Sequence, residues 1–129
     1  MRVILADNNQ ILLWALKTLL QETPEIEVVG DAHDTDSLIS LVAVNVPALI
    51  LVDMELPGDA IEDLITNLHS YNPKPIVLVM SAKQENARYG LHAGADAFVS
   101  KSDNPDWLLA TLLMYEKRLN KSHVRQVNE

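Results

Sequence analysis

Apolar residues fall along this chain in five short runs, each closed by polar turn residues and followed by a segment of helical spacing. Val3 to Ala6 predicts a first strand ending in Asp7-Asn8-Asn9, residue types suited to turns and helix caps. Gln10 to Gln21 then has a helical period. Glu25 to Gly30 predicts a second strand, and Thr35 to Val44 a second helix that Thr35 caps and that ends before Pro47. Ala48 to Val52 and Ile76 to Met80 are apolar without a break, as strands covered on both faces are. Between them Ala60 to Ser70 predicts a helix with Asp59 as its cap. Gln84 to His92 predicts a shorter helix closed by Gly94, and Ala97 to Ser100 a fifth strand. A last helix opens with Asn104 as cap and Pro105 in its first position. From Asn120 the chain turns polar and loses its period, so residues 1–119 read as one domain and 120–129 as a polar tail or linker stub.

Strand and helix thus alternate five times at the spacing of βα units, which predicts an α/β fold, a doubly wound five-stranded parallel sheet with helices on both faces. Right-handed crossovers favour the strand order 2-1-3-4-5. In that order the first, third and fourth strands direct their carboxyl ends at one crevice, where open α/β sheets bind ligands. Asp7, Asp53 and Ser81 are then expected to meet there, and Lys101, just after the fifth strand, falls on the same edge.

Composition narrows the chemistry. With 129 residues and no cysteine, the chain can bury a core without disulfides and has no thiolate for metal binding. Its four histidines, His33, His69, His92 and His123, lack ligand spacing, so a zinc site is not expected. The Met1-Arg2-Val3 start enters a strand-like run without a signal-peptide pattern, and the longest apolar run, Ile11 to Leu16, is too short to span a bilayer. The expectation is a soluble cytoplasmic protein with no membrane partner. The net charge of −8 argues against nucleic-acid binding by this chain, because phosphate contacts need a basic face. The charge is also unevenly spread: residues 1–73 hold twelve acids against Arg2 and Lys17, while residues 74–129 hold eight bases against six acids. A cation site in the first half is compatible with that bias.

An acid after the first strand, an acid after the third, a hydroxyl after the fourth and a lysine after the fifth form a set that chance rarely places on one sheet edge. With LADN, LVDMELPG, VMSA and GADAFVSK in that order, the chain resembles the receiver domain of two-component response regulators. The resemblance covers essentially the chain to Leu119, and it is greatest with receivers that precede a helix-turn-helix output domain. It implies a flavodoxin-like (βα)5 fold and a regulatory phosphoacceptor rather than an enzyme. By that likeness Asp53 accepts a phosphoryl group from a histidine kinase or phosphotransfer protein, Ser81 contacts that group, Lys101 is its cationic partner and Phe98 is the aromatic switch residue. Asp7, Asn8, Asp53 and the backbone carbonyl of Glu55 fall on the positions that bind Mg²⁺. The chemistry is coherent: a carboxylate is a nucleophile at neutral pH without a base, and phosphoryl transfer is aided mainly by positioning and charge neutralisation.

Two positions depart from the family pattern. Where two consecutive acids are usual, this chain has Asp7-Asn8, so weakened Mg²⁺ binding is expected; Ser102 stands where proline often follows the lysine. The first departure keeps a rival in view, a pseudo-receiver acting as a phosphorylation-independent protein-interaction module. An aspartate-nucleophile phosphatase is more remote, since its Asp-x-Asp pair follows the first strand, whereas Asp53-Met54-Glu55 follows the third.

Helical wheels add a surface. In the first helix Leu12, Leu16, Leu19 and Leu20 share the predicted inward arc, leaving Trp14 outside and Leu13 on the flank; in the last, Leu108, Leu112, Tyr115 and Leu119 point inward and leave Trp107 and Met114 outside. Leu13, Trp14, Trp107 and Met114 are therefore expected to form one interaction patch. It would serve kinase docking or a homodimer through helices 1 and 5; the resemblance also allows a homodimer through helix 4, strand 5 and helix 5.

Overall fold

The computed structural model describes residues 1–128, with side-chain environments through Lys121. Its strands are β1 (Arg2–Ala6), β2 (Glu27–Ala32), β3 (Leu49–Asp53), β4 (Ile76–Ser81) and β5 (Ala97–Ser100). They alternate with α1 (Gln10–Gln21), α2 (Thr35–Asn45), α3 (Ile61–His69), α4 (Asn86–His92) and α5 (Pro105–Asn128). All neighbouring strands are parallel, in the order β2-β1-β3-β4-β5, which is the predicted doubly wound sheet.

The two-residue period of a strand divides the core into two layers. Val3, Leu5, Leu49, Leu51, Leu78 and Met80 face α1 and α5, where Leu13, Leu16, Leu20, Leu108 and Leu112 cover them. Ile4, Ala6, Ile50, Val52, Val77 and Val79 face the other way, onto Leu38 and Val42 of α2 and Ile61, Leu64, Ile65 and Leu68 of α3. With apolar side chains on both faces, β3 and β4 are interior strands, as their unbroken apolar runs require.

Several local expectations are corrected. The strand β2 lies two residues later than predicted, and its pairing with β1 shifts register between Val3 and Ile4. Asp34, not Thr35, caps α2, accepting the Ser37 N–H at 2.8 Å. Thr35 is instead buried: its N–H donates to Pro57 O at 2.9 Å and its Oγ1 accepts the Asp59 N–H at 3.1 Å. The N–H bond ties Asp59 to Thr35, and Asp59 does not cap α3, which starts from Ala60 without a side-chain cap. Gly58 makes this junction possible, because its φ of +121° is in the glycine region and a Cβ there would lie 2.0 Å from Thr35 Oγ1.

The inward faces of the outer helices are also rotated from the predicted arcs. Leu13 is only 2% exposed and belongs to the core, while Leu12 and Leu19 are partly buried, so Leu13 leaves the expected interaction patch. Residues 13, 16 and 20 hold the same apolar face; which of several leucines points inward is set by the sheet beneath the helix. In α5 Leu119 is 39% exposed, beside a groove of about 370 Å³ that Met1, Pro73 and Ile76 also line. Glu116 is buried instead, with its Oε1 accepting from Asn120 Nδ2. As backbone, α5 continues through the polar residues that follow Asn120. Among the described residues no helix is long and apolar enough to cross a membrane.

Candidate functional site

Strand parity also sorts the polar residues at the carboxyl edge. Asp53 continues the alternation of Leu49 and Leu51, and Lys101 that of Ala97 and Val99, so both arrive on the side of α1 and α5. Asp7 continues Val3 and Leu5 onto that same side. The result is a charge cluster in which Lys101 Nζ lies 2.6 Å from Asp7 Oδ2 and 3.1 Å from Asp53 Oδ2. Asp7 is fully enclosed and Asp53 nearly so. Asp7 Oδ2 has no neutral hydrogen-bond partner among the described residues, so Lys101 is what balances it. The other oxygens take backbone donors: Asn9 N–H donates to Asp7 Oδ1 at 2.9 Å, and Glu55 N–H to Asp53 Oδ1 at 3.2 Å.

The cluster perturbs its own members. Burial raises the Asp53 carboxyl above the ordinary carboxylate value, and the nearby Asp7 charge adds to this, against the Glu55 N–H and Lys101, which favour ionisation. Burial works to lower Lys101, but the Asp7 and Asp53 carboxylates outweigh it and leave the lysine above its usual value. A lysine held cationic between two carboxylates, one of them disfavoured as an anion, is an arrangement of functional sites more than of packing.

Ser81 and Phe98 fall on the opposite side. Ser81 continues Val77 and Val79, is buried, and its Oγ accepts from Lys83 N–H and from Asn86 Nδ2, each at 3.0 Å. Phe98 is half-buried against the core shared with α2 and α3, and pairs with Val79 across the β4–β5 ladder. The main chain joins the two sides, since Lys101 N–H donates to Ser81 O at 2.9 Å and Met54 N–H to Met80 O at 2.8 Å. Asn86 has no motif to announce it in the sequence, lying five positions after Ser81 at the start of a helix.

Asn8 is exposed beside this cluster, and Glu55 lies in the turn after β3, its side chain reaching Lys83 at 3.9 Å in a solvated pair of little energetic weight. Among the described residues no group of three or more histidine, aspartate or glutamate side chains converges as a metal site. Two carboxylates with an amide oxygen alongside nonetheless form a hard donor set, and Mg²⁺ is commonly held by one or two carboxylates while it keeps several waters. The enclosed Asp7 Oδ2, balanced only by Lys101, fits that role.

Of the patch residues other than Leu13, Trp14 on α1 is 67% exposed, Trp107 on α5 69% and Met114 on α5 40%.

Residues 3–113 match the family model described as the response regulator receiver domain. The nitrate/nitrite response regulator protein NarL of Escherichia coli is 30% identical over 112 residues, spanning 85% of this chain and 52% of that protein. A protein-glutamate methylesterase/protein-glutamine glutaminase of Halalkalibacterium halodurans is 32% identical over 108 residues, 81% of this chain and 31% of that protein. The chain therefore spans about a third to a half of the curated relatives it matches. Among solved structures, the signal receiver domain of the putative response regulator NarL from Mycobacterium tuberculosis superposes with a TM-score of 0.80 at 24% identity, covering 90% of this chain and 95% of that one. With the family model matched over most of its length, the chain belongs to the response regulator receiver domain family.

Proposed function

We propose that this receiver takes a phosphoryl group from a histidine kinase or phosphotransfer protein onto Asp53 and changes its interaction surface in response. The observation that carries the reading is the position of Lys101 Nζ, within ion-pair distance of both Asp7 and Asp53 at the carboxyl edge of the sheet. A phosphorylation-independent binding module has no use for a lysine clamped between two enclosed carboxylates, so the phosphoacceptor is the better reading.

In the transfer an Asp53 carboxylate oxygen attacks phosphorus, the bond to the donor's imidazole nitrogen breaks, and its electron pair leaves with the ring. Lys101 is already beside Asp53, so its charge lies next to the incoming phosphoryl oxygens with little rearrangement. Asp7, Asn8, Asp53 and the Glu55 carbonyl are the groups that would hold Mg²⁺, which supplies further neutralisation of those oxygens when bound. The product brings about two negative charges and three strong acceptors to the strand end, giving the Ser81 hydroxyl a reason to turn toward them. Space vacated by Ser81 on its own side of the sheet is then open to Phe98, which couples Asp53 to the surface of α4, β5 and α5. Such a chain acts as a regulatory domain in the cytoplasm, and its assembly into homodimers uses either α1 with α5 or α4, β5 and α5.

Incubation with acetyl phosphate and Mg²⁺ followed by intact-mass measurement is expected to add one phosphoryl group to wild type and none to Asp53→Ala. An unmodified wild type would exclude this reading. The uncharged Asn8 lowers the charge of the cation site, so calorimetry is expected to find tighter Mg²⁺ binding by Asn8→Asp than by wild type. Equal affinities would remove Asn8 as the cause of weak binding.

A further inference from the structure

Ser81 Oγ has two acceptor positions, and both are taken, one by the Lys83 N–H and one by Asn86 Nδ2. The second bond reaches the first residue of α4. That helix has seven residues and no side-chain cap at Glu85, and its first N–H groups bond only to the turn just before it, Asn86 N–H donating to Lys83 O at 3.0 Å and Ala87 N–H to Gln84 O at 3.1 Å. A second attachment is steric. Gly90 sits so close to the sheet that a Cβ there would lie 2.7 Å from Val79 Cγ2 and 3.2 Å from Met54 Sδ. Asn86 on Ser81 at its start and Gly90 on β4 and Met54 further along are thus two of the contacts that seat the helix, which also packs on β5. Between and beyond them Tyr89 and Leu91 are exposed.

We infer that Asn86 is a positioning residue that tethers α4 to the Ser81 hydroxyl in the unphosphorylated chain, and that phosphorylation of Asp53 releases the tether. The inference rests on the receiver reading of Asp53 and deepens it. Ser81 lies on the α2–α4 side of β4, whereas Asp53 and Lys101 lie on the α1–α5 side. Turning across the strand end to donate to a phosphoryl oxygen takes Ser81 Oγ away from Asn86. The first turn of α4 then loses its side-chain anchor to β4, while the helix stays packed at Gly90 and against β5. The orientation of Tyr89 and Leu91 thereby becomes dependent on the charge at Asp53, by a route separate from Phe98.

Two measurements on the full chain test this. Amide hydrogen exchange across residues 86–92 is expected to be faster in unmodified Asn86→Ala than in unmodified wild type, although alanine favours helix more than asparagine does. Unchanged or slower exchange overturns the tether, and this comparison needs no phosphoryl group. Fluoroberyllate titration followed by amide signals is expected to show binding about two- to tenfold tighter in Asn86→Ala, the equivalent of one hydrogen bond that only the unphosphorylated state makes. In a Ser81→Ala background the same substitution is expected to have no effect on affinity. Equal tightening in that background shows that Asn86 acts without Ser81 and overturns the proposal. A wild type that binds no fluoroberyllate overturns the receiver reading, while the exchange comparison still decides whether the tether exists.

Discussion

Lys101 stands between two acids that would otherwise repel each other in a space with little water. Of the two, Asp53 has its carboxyl raised by burial and by Asp7, so its ionised form costs the fold stability. The folded value lies above the unfolded one, and the cost is therefore absent at low pH and grows as pH rises through the folded value. Asp53→Asn keeps an oxygen for the Glu55 N–H and leaves Asp7 to pair with Lys101. In chelator at neutral pH it is expected to raise the urea midpoint above that of wild type, with the difference vanishing as pH falls into the range where Asp53 is protonated. Removing the lysine instead leaves both carboxylates unbalanced. Lys101→Ala is expected to cost about 3 kcal/mol in the same titration at neutral pH, as breaking a buried pair by deleting one partner does. Lys101 contributes in the opposite range, since its value is raised by the two carboxylates: its stabilisation is present below the ordinary lysine value and lost as alkaline pH passes the folded one.

At the level of elements, the strands carried most of what could be read in the chain. Their apolar runs are short, dense and bounded by turn residues, so the ends of β3, β4 and β5 could be placed within a residue, and with them Asp53, Ser81 and Lys101. The two-residue period goes further and explains why Asp7, Asp53 and Lys101 meet while Ser81 and Phe98 face α2, α3 and α4. Helix rotation was less legible. A run of leucines such as Leu12, Leu13, Leu16, Leu19 and Leu20 offers more than one apolar arc, and only the sheet selects 13, 16 and 20. Caps depended on tertiary contact: Thr35 could cap α2 by its chemistry, but burial against Gly58 takes it into the core and leaves the task to Asp34. Asn86 was invisible for a similar reason, because its significance comes from a bond to Ser81 that no local pattern encodes.

The molecule as a whole presents two unlike halves. Its first 73 residues carry the excess of acid, the remainder is slightly basic, and both outer helices of the Leu13–Leu112 layer display a tryptophan on the solvent side. Trp14 and Trp107 are each about two-thirds exposed, and tryptophan is among the residues enriched in buried interface centres. Single exposed apolar side chains are ordinary. Here two tryptophans and Met114 project from α1 and α5, which cover the same side of the sheet, and burying them against a second copy would remove the largest exposed rings of the described residues from water. Self-association through this face predicts that sedimentation equilibrium of wild type gives a weight-average mass rising with concentration above the 14.4 kDa of one chain. Trp14→Glu and Trp107→Glu are each expected to stay at the monomer mass, because a carboxylate placed in an apolar contact must be desolvated without a partner. Both substitutions are at solvent-facing positions, so at protein concentrations low enough for wild type to be monomeric their urea midpoints are expected to match it. A wild type that remains monomeric at all concentrations would assign the tryptophans to phosphodonor docking instead, with slower transfer from a kinase and unchanged labelling by acetyl phosphate as the accompanying result.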